Sequence, residues 1–106
     1  MTNENESIES IAFQIISNVG SAKSLVLEAL YAAKEGNFQL AEKKLEESKK
    51  YFIEGHRVHT TLIQKEASGT KLDFSLIIMH AEDQLMSAET ISELVKEMID
   101  IYKKIR

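Results

Sequence analysis

The chain contains no proline, and that absence limits its folds more than any other feature. Proline ends or kinks helices because it lacks an N–H and its ring clashes with the preceding turn. Without it, helices run until another signal stops them. Two places carry such a signal. At KEGN, Gly36 and Asn37 can take the left-handed conformation that closes a helix C-terminus. At ASGTKLD, Gly69 is a breaker and Asp73 offers a side-chain cap for a following helix. No stretch sustains period-two alternation, and no hairpin turn joins β-branched runs, so no strand is expected. The spacing predicts an all-α fold of three helices, at about residues 4–35, 38–68 and 73–105. Short connections make consecutive helices antiparallel. With 106 residues, one domain spanning 1–106 with one modest core is expected.

Composition narrows the function classes. There is no cysteine, which removes disulfides and thiolate metal sites. The segment MTNENESIE is acidic and lacks the basic and apolar halves of a secretion signal. No apolar run approaches the length of a membrane span, so the expectation is a cytoplasmic protein. A net charge of −4 suits nucleic acid poorly, because phosphate contacts need a basic surface. Lys43, Lys44, Lys49 and Lys50 share their helix with Glu42, Glu46 and Glu47, which reads as a solvated face with i,i+4 pairs.

Each helix carries an apolar stripe. The first has Ile11, Ile15, Asn18, Ala22, Leu25, Ala29 and Ala32, flanked by Ala12, Ile16, Val19, Val26, Leu30 and Ala33. The second has Phe38, Ala41, Leu45, Ser48, Phe52, Gly55, His59 and Leu62. The third has Phe74, Ile77, Ala81, Gln84, Ala88, Ile91, Val95, Met98, Tyr102 and Ile105. This spacing suits nearly antiparallel packing. The start of the third helix is apolar nearly all round, with Leu76, Ile77, Ile78 and Met79 consecutive and Leu85 and Met86 following. Two partner helices cannot cover that surface, and self-association about a symmetry axis is the simplest remedy.

The stripes are interrupted by polar residues that line up. Folding the third helix on the second about Thr70 sets His59 level with Ala81 and His56 level with Gln84. Folding the first about Gly36 brings Gly55 near Ser17 and Asn18. Asn18, His56, His59, His80, Asp83 and Gln84 are then expected in one band, to within about one helical turn. A polar group in a core stripe often sets register or oligomer state and nothing more. All three histidines of the chain in one band point further, toward a site. His56/His59 and His80/Asp83 are both i,i+3 pairs and could surround zinc, but that pattern is loose. Glu-x-x-His, the mark of a dinuclear carboxylate site, is absent, as is a glycine-rich phosphate loop.

MHAEDQLM resembles the His-x-x-Asp-x-Leu-Met signature of the lactose/cellobiose class of enzyme IIA in the bacterial phosphoenolpyruvate-dependent sugar phosphotransferase system. SNVGSAKSLVLEAL, AAKEGNFQLAEKKLEES, EGHRVHTTLIQKEASGT and ISELVKEMIDIYKK are similar to further blocks of that family, so the likeness spans nearly the whole chain. The resemblance implies a homotrimer of three-helix protomers, which would supply the missing cover. It implies that His80 accepts a phosphoryl group from the histidine-containing phosphocarrier protein. The group then passes to a cysteine of the cognate IIB component during sugar uptake through the membrane component IIC. It also implies that Asp83, one per protomer, meets a divalent cation, Mg²⁺ by its oxygen ligation, in a structural role on the trimer axis. The chemistry is consistent: a neutral imidazole is nucleophilic near pH 7, and in-line displacement at phosphorus is catalysed largely by positioning.

The chain departs from the family pattern at four places. Glu82 stands where glutamine is common, Gln84 where histidine is common, His59 where glutamine is usual and Gly55 where alanine is usual. Gln84, four residues from His80, can still donate a hydrogen bond to phosphate. Glu82, two residues away on a helix, is expected to face elsewhere. His56, His59, Glu82 and Gln84 are thus supporting candidates around the nucleophile His80. Rival readings are a non-catalytic helical adaptor with a groove for a partner helix and a family member that has lost transfer. The sugar is not encoded in any motif found.

Overall fold

The structure, a computed structural model, describes residues 7–72 and 75–106. Three helices account for nearly all of it: α1 (Ile8–Lys34), α2 (Phe38–Ala67) and α3 (Leu76–Ile105). No strand occurs among the described residues. The bundle is an elongated rod of 53 × 24 × 19 Å.

Local chemistry sets the helix ends. Ser7, Asn37 and Ser75 each accept a hydrogen bond from the backbone N–H three residues on, which satisfies one of the orphan donors of each first turn. Both expected glycine stops operate. Gly36 has φ +81° and Gly69 has φ +100°, a region that L side chains rarely adopt. In each case two backbone N–H groups fold back on the last carbonyls: Gly36 to Ala33 and Asn37 to Ala32, then Gly69 to Glu66 and Thr70 to Lys65. That pairing is the Schellman closure. Arg106 adds a second lock at the first turn, donating from Nη2 to the Lys34 carbonyl at 2.8 Å.

The cap of α3 is Ser75 rather than Asp73. Asp73 and Phe74 lie outside the described residues, as do residues 4–6 of the expected first helix.

α1 is the central helix and packs along both partners, whereas α2 and α3 approach one another much less closely. Its nine buried residues run from Ile11 to Ala33 and include five alanines. Small side chains let two helices settle against one. Gly55 serves the same end: a Cβ there would meet Val19 Cγ2 at 3.2 Å. One core cluster gathers Ile11, Ile15, Val19, Val58, Leu62, Ala81 and Leu85; the other gathers Val26, Ala29, Ala41, Val95 and Ile99 at the far end. Each such large aliphatic side chain contributes about 1.5–3 kcal/mol on full burial.

The buried face of α3 differs from the expected stripe. Ala81, Ala88 and Val95 are buried as predicted, and Ile77, Ile91 and Tyr102 of the predicted stripe pack partly buried against the core. The fully buried residues on the other flank, however, are Leu85, Ser92 and Ile99, while Gln84 is half-buried and Met98 exposed. The helix is rolled toward the other flank. Periodicity locates Ala81, Ala88 and Val95 but does not choose between two flanks that are both largely apolar. The consequence is a second, uncovered apolar face. Leu76 is 81%, Ile105 71%, Ile101 57%, Leu94 54% and Met98 42% exposed.

Candidate functional site

His80 lies one turn into α3, on the solvent side, and is exposed. Among the described residues no side chain hydrogen-bonds to it. Asp83, three residues on, is exposed as well, and Gln84, four residues on, is half-buried. At 3.6 residues per turn these three share one surface patch. Ala81 is buried beside it, and Ile77, Ile78 and Leu85 belong to or pack against the same core cluster, so the turn that carries His80 is seated on the core while His80 itself faces out.

Glu82 projects about 200° around the helix from His80, toward α2. There its Oε1 meets His59 Nε2 at 2.5 Å. His59 is anchored from below, because Val58 and Leu62 on either side of it are buried in the core. Further along, His56 Nε2 meets Glu89 Oε1 at 3.2 Å. The side chain of His56 is 52% exposed against 19% for His59, so the His59–Glu82 contact is the drier of the two.

The expected single polar band is therefore two groups. His56 and His59 belong to the seam between α2 and α3, while His80 and Asp83 face outward. Asn18 joins neither, since its Nδ2 donates to the Gln14 carbonyl at 2.8 Å within α1. No group of three or more His, Asp or Glu side chains among the described residues could hold a metal ion within one chain, so the four-ligand zinc arrangement does not form. Glu89 was missed from sequence. His56 was expected opposite Gln84 and pairs with Glu89, five residues further on, whereas His59, expected opposite Ala81, pairs with Glu82, one residue further on. Glu82 does face away from His80, as its spacing predicts.

The model of the family described as "PTS system, Lactose/Cellobiose specific IIA subunit" matches residues 10–103. The chain belongs to this family. It is thus a IIA component of the phosphotransferase system, of the lactose/cellobiose class, and a relay protein of that system in the broad sense. This IIA chain is 42% identical over 101 residues to the lichenan-specific phosphotransferase enzyme IIA component of Bacillus subtilis (strain 168), covering 95% of this chain and 92% of that one. It is 36% identical to the lactose-specific EIIA component of Staphylococcus aureus (strain N315), covering 93% and 96% of the two chains. Among solved structures, the cellobiose-specific enzyme IIA of Bacillus anthracis superposes with a TM-score of 0.90 at 41% identity, covering 98% and 96% of the two chains. The IIA(Chitobiose) chain solved in complex with HPr, from the Escherichia coli phosphotransferase system, gives 0.82 at 35% identity, covering 94% and 97%. The IIA fold seen here contains no helix, among the described residues, long and apolar enough to cross a membrane.

Proposed function

We propose that this IIA chain carries a phosphoryl group on His80. An unprotonated ring nitrogen of His80 attacks the phosphorus held on a histidine of the phosphocarrier protein HPr. A P–N bond forms to His80 as the P–N bond of the donor breaks, and the donor imidazole leaves. In the second transfer a cysteine thiolate of the IIB component attacks the same phosphorus, giving a P–S bond and free His80. Neither step needs an oxidant or a further reactant. Positioning and charge stabilisation supply the catalysis.

The observation that carries this reading is the exposure of His80 on a rigid helix, with no protein partner claiming its ring among the described residues. A group that must meet two visiting proteins in turn has to be accessible to both. The relative solved in complex with HPr supports the donor assignment.

The same reading includes a homotrimer. The uncovered face of α3, with Leu76, Leu94, Met98, Ile101 and Ile105, supports an assembly in which three copies of α3 face one axis. Asp83 lies on that outward side. One exposed carboxylate per chain, three by symmetry, is an all-oxygen donor set that fits a hard divalent cation such as Mg²⁺. Such an ion, when bound, offsets repulsion among the three carboxylates. The phosphoryl transfer itself runs through His80. The protein would act in the cytoplasm, and reach the membrane only through IIB and IIC.

The test is reconstitution with phosphoenolpyruvate, enzyme I and HPr. Wild-type chain takes up one acid-labile phosphoryl group and His80→Ala takes up none. Undiminished labelling of His80→Ala contradicts the assignment.

A further inference from the structure

Three polar bridges join α2 to α3 among the described residues: Glu42–Lys103, His56–Glu89 and His59–Glu82. The last has the least exposed histidine and sits two residues from the phosphoryl acceptor. It ties an imidazole nitrogen of α2 to a carboxylate oxygen of α3 at 2.5 Å.

Its place in the fold gives it leverage over His80. α2 is fixed at this level, because Val58 and Leu62 anchor it in the core beside α1. α3 is held along α1 by Ala81, Leu85 and Ala88, but it is only loosely apposed to α2, so on that side little besides this bridge fixes it. A helix packed firmly along one side only is free to roll until its other side is tied. The His80 ring stands about 6 Å from that axis, so a roll of about 10° moves it by about 1 Å. A displacement of that size can cost about 100-fold in a reaction that depends on alignment.

We propose that the His59–Glu82 contact is a positioning device that fixes the roll of α3 and so places His80 for in-line transfer. Glu82 and His59 are positioning residues, since neither touches the phosphoryl group. The inference rests on the relay reading above. It opposes a simpler account in which Glu82 is only a negative charge near a phosphorylated residue. On that account, removing the carboxylate speeds the gain of phosphate. On the positioning account, removing it slows transfer.

The experiment is single-turnover phosphorylation by phosphorylated HPr, at a series of donor concentrations. The variants are His59→Ala, Glu82→Ala, the double alanine chain, and His59→Gln with Glu82→Gln. Two amides can hydrogen-bond across the same gap. Each single alanine variant should lose about tenfold in the rate at saturating donor, with the half-saturating concentration unchanged. The double alanine chain should lose no more than either single, because the two act as one unit. The glutamine pair should recover to within about threefold of wild type. Circular dichroism and sedimentation confirm that chains of equal helicity and assembly are compared. If an alanine chain loses structure, His59→Leu and Glu82→Leu keep side-chain bulk and take its place. Glu82→Ala as fast as wild type, or faster, overturns the proposal. So does a glutamine pair no faster than the single alanine variants. A wild-type chain that takes no phosphoryl group overturns the relay reading instead, which keeps the two failures apart.

Discussion

Two sides of α3 treat histidine differently. Toward α2, His56 and His59 are each held against a carboxylate, Glu89 and Glu82. On the outward side, His80 stands exposed beside Asp83. A held imidazole cross-links helices, whereas a free one can be a nucleophile. Residue type alone does not separate the two roles, since each histidine sits at helical spacing among apolar residues. What separates them is which flank of α3 is turned to the core.

The comparison breaks first at His80. His80→Ala should remove phosphoryl acceptance entirely while leaving the thermal midpoint close to wild type, because an exposed side chain contributes little to folding. The reverse pattern is expected on the inner flank. Leu85 is buried, and Leu85→Ala should cost about 2–5 kcal/mol in chemical denaturation. A small loss there would mean that the assigned roll of α3 is wrong.

Most of the fold was legible in the sequence because breakers act locally. Gly36 and Gly69 end their helices by a backbone conformation that needs no tertiary partner. The roll of α3 was not legible. Residues 84, 91 and 98 and residues 85, 92 and 99 flank the same seam of Ala81, Ala88 and Val95, and both sets are mainly apolar. Packing against α1 makes that choice. The partner of His56 was misplaced by five residues, Glu89 instead of Gln84, while that of His59 was misplaced by one, Glu82 instead of Ala81, because a fold about one turn gives levels and not the reach of a glutamate side chain. Of the site, helical spacing put His80, Asp83 and Gln84 together, but it did not show that His80 and Asp83 face outward, since they were expected in one band with His56 and His59. Nor did it show the His59–Glu82 contact, because periodicity gives a side chain its level but not its partner.

Smaller effects sharpen the contrast between the flanks. Ile101→Glu, on the uncovered face, should convert trimer to monomer by analytical ultracentrifugation at micromolar concentration, with helicity retained. An unchanged mass would show that this face is not the interface. Asp83→Leu should abolish bound divalent metal in elemental analysis and leave the trimer assembled, since the apolar replacement also removes charge repulsion. Metal still present in that variant would rule out Asp83 as its ligand.

The smallest change is expected at Lys103→Met. Lys103 donates a hydrogen bond to Glu42 at 2.8 Å, with both side chains exposed. That hydrogen bond, together with the nearby Glu42 and Asp100 charges, raises its pKa above the usual lysine value. A raised pKa means the contribution is fully present below the unfolded value of 10.5 and fades as pH rises through the folded value. Any difference between variant and wild type should thus appear at neutral pH and vanish in strong alkali. Screening by solvent keeps it slight.

The central claim is tested most directly by mapping the phosphorylated wild-type chain. The protein is charged through HPr, kept alkaline to preserve the P–N bond, digested and sequenced by mass spectrometry. The account predicts phosphate on His80, with His56 and His59 unmodified. Phosphate on either seam histidine, with His80 bare, would contradict it.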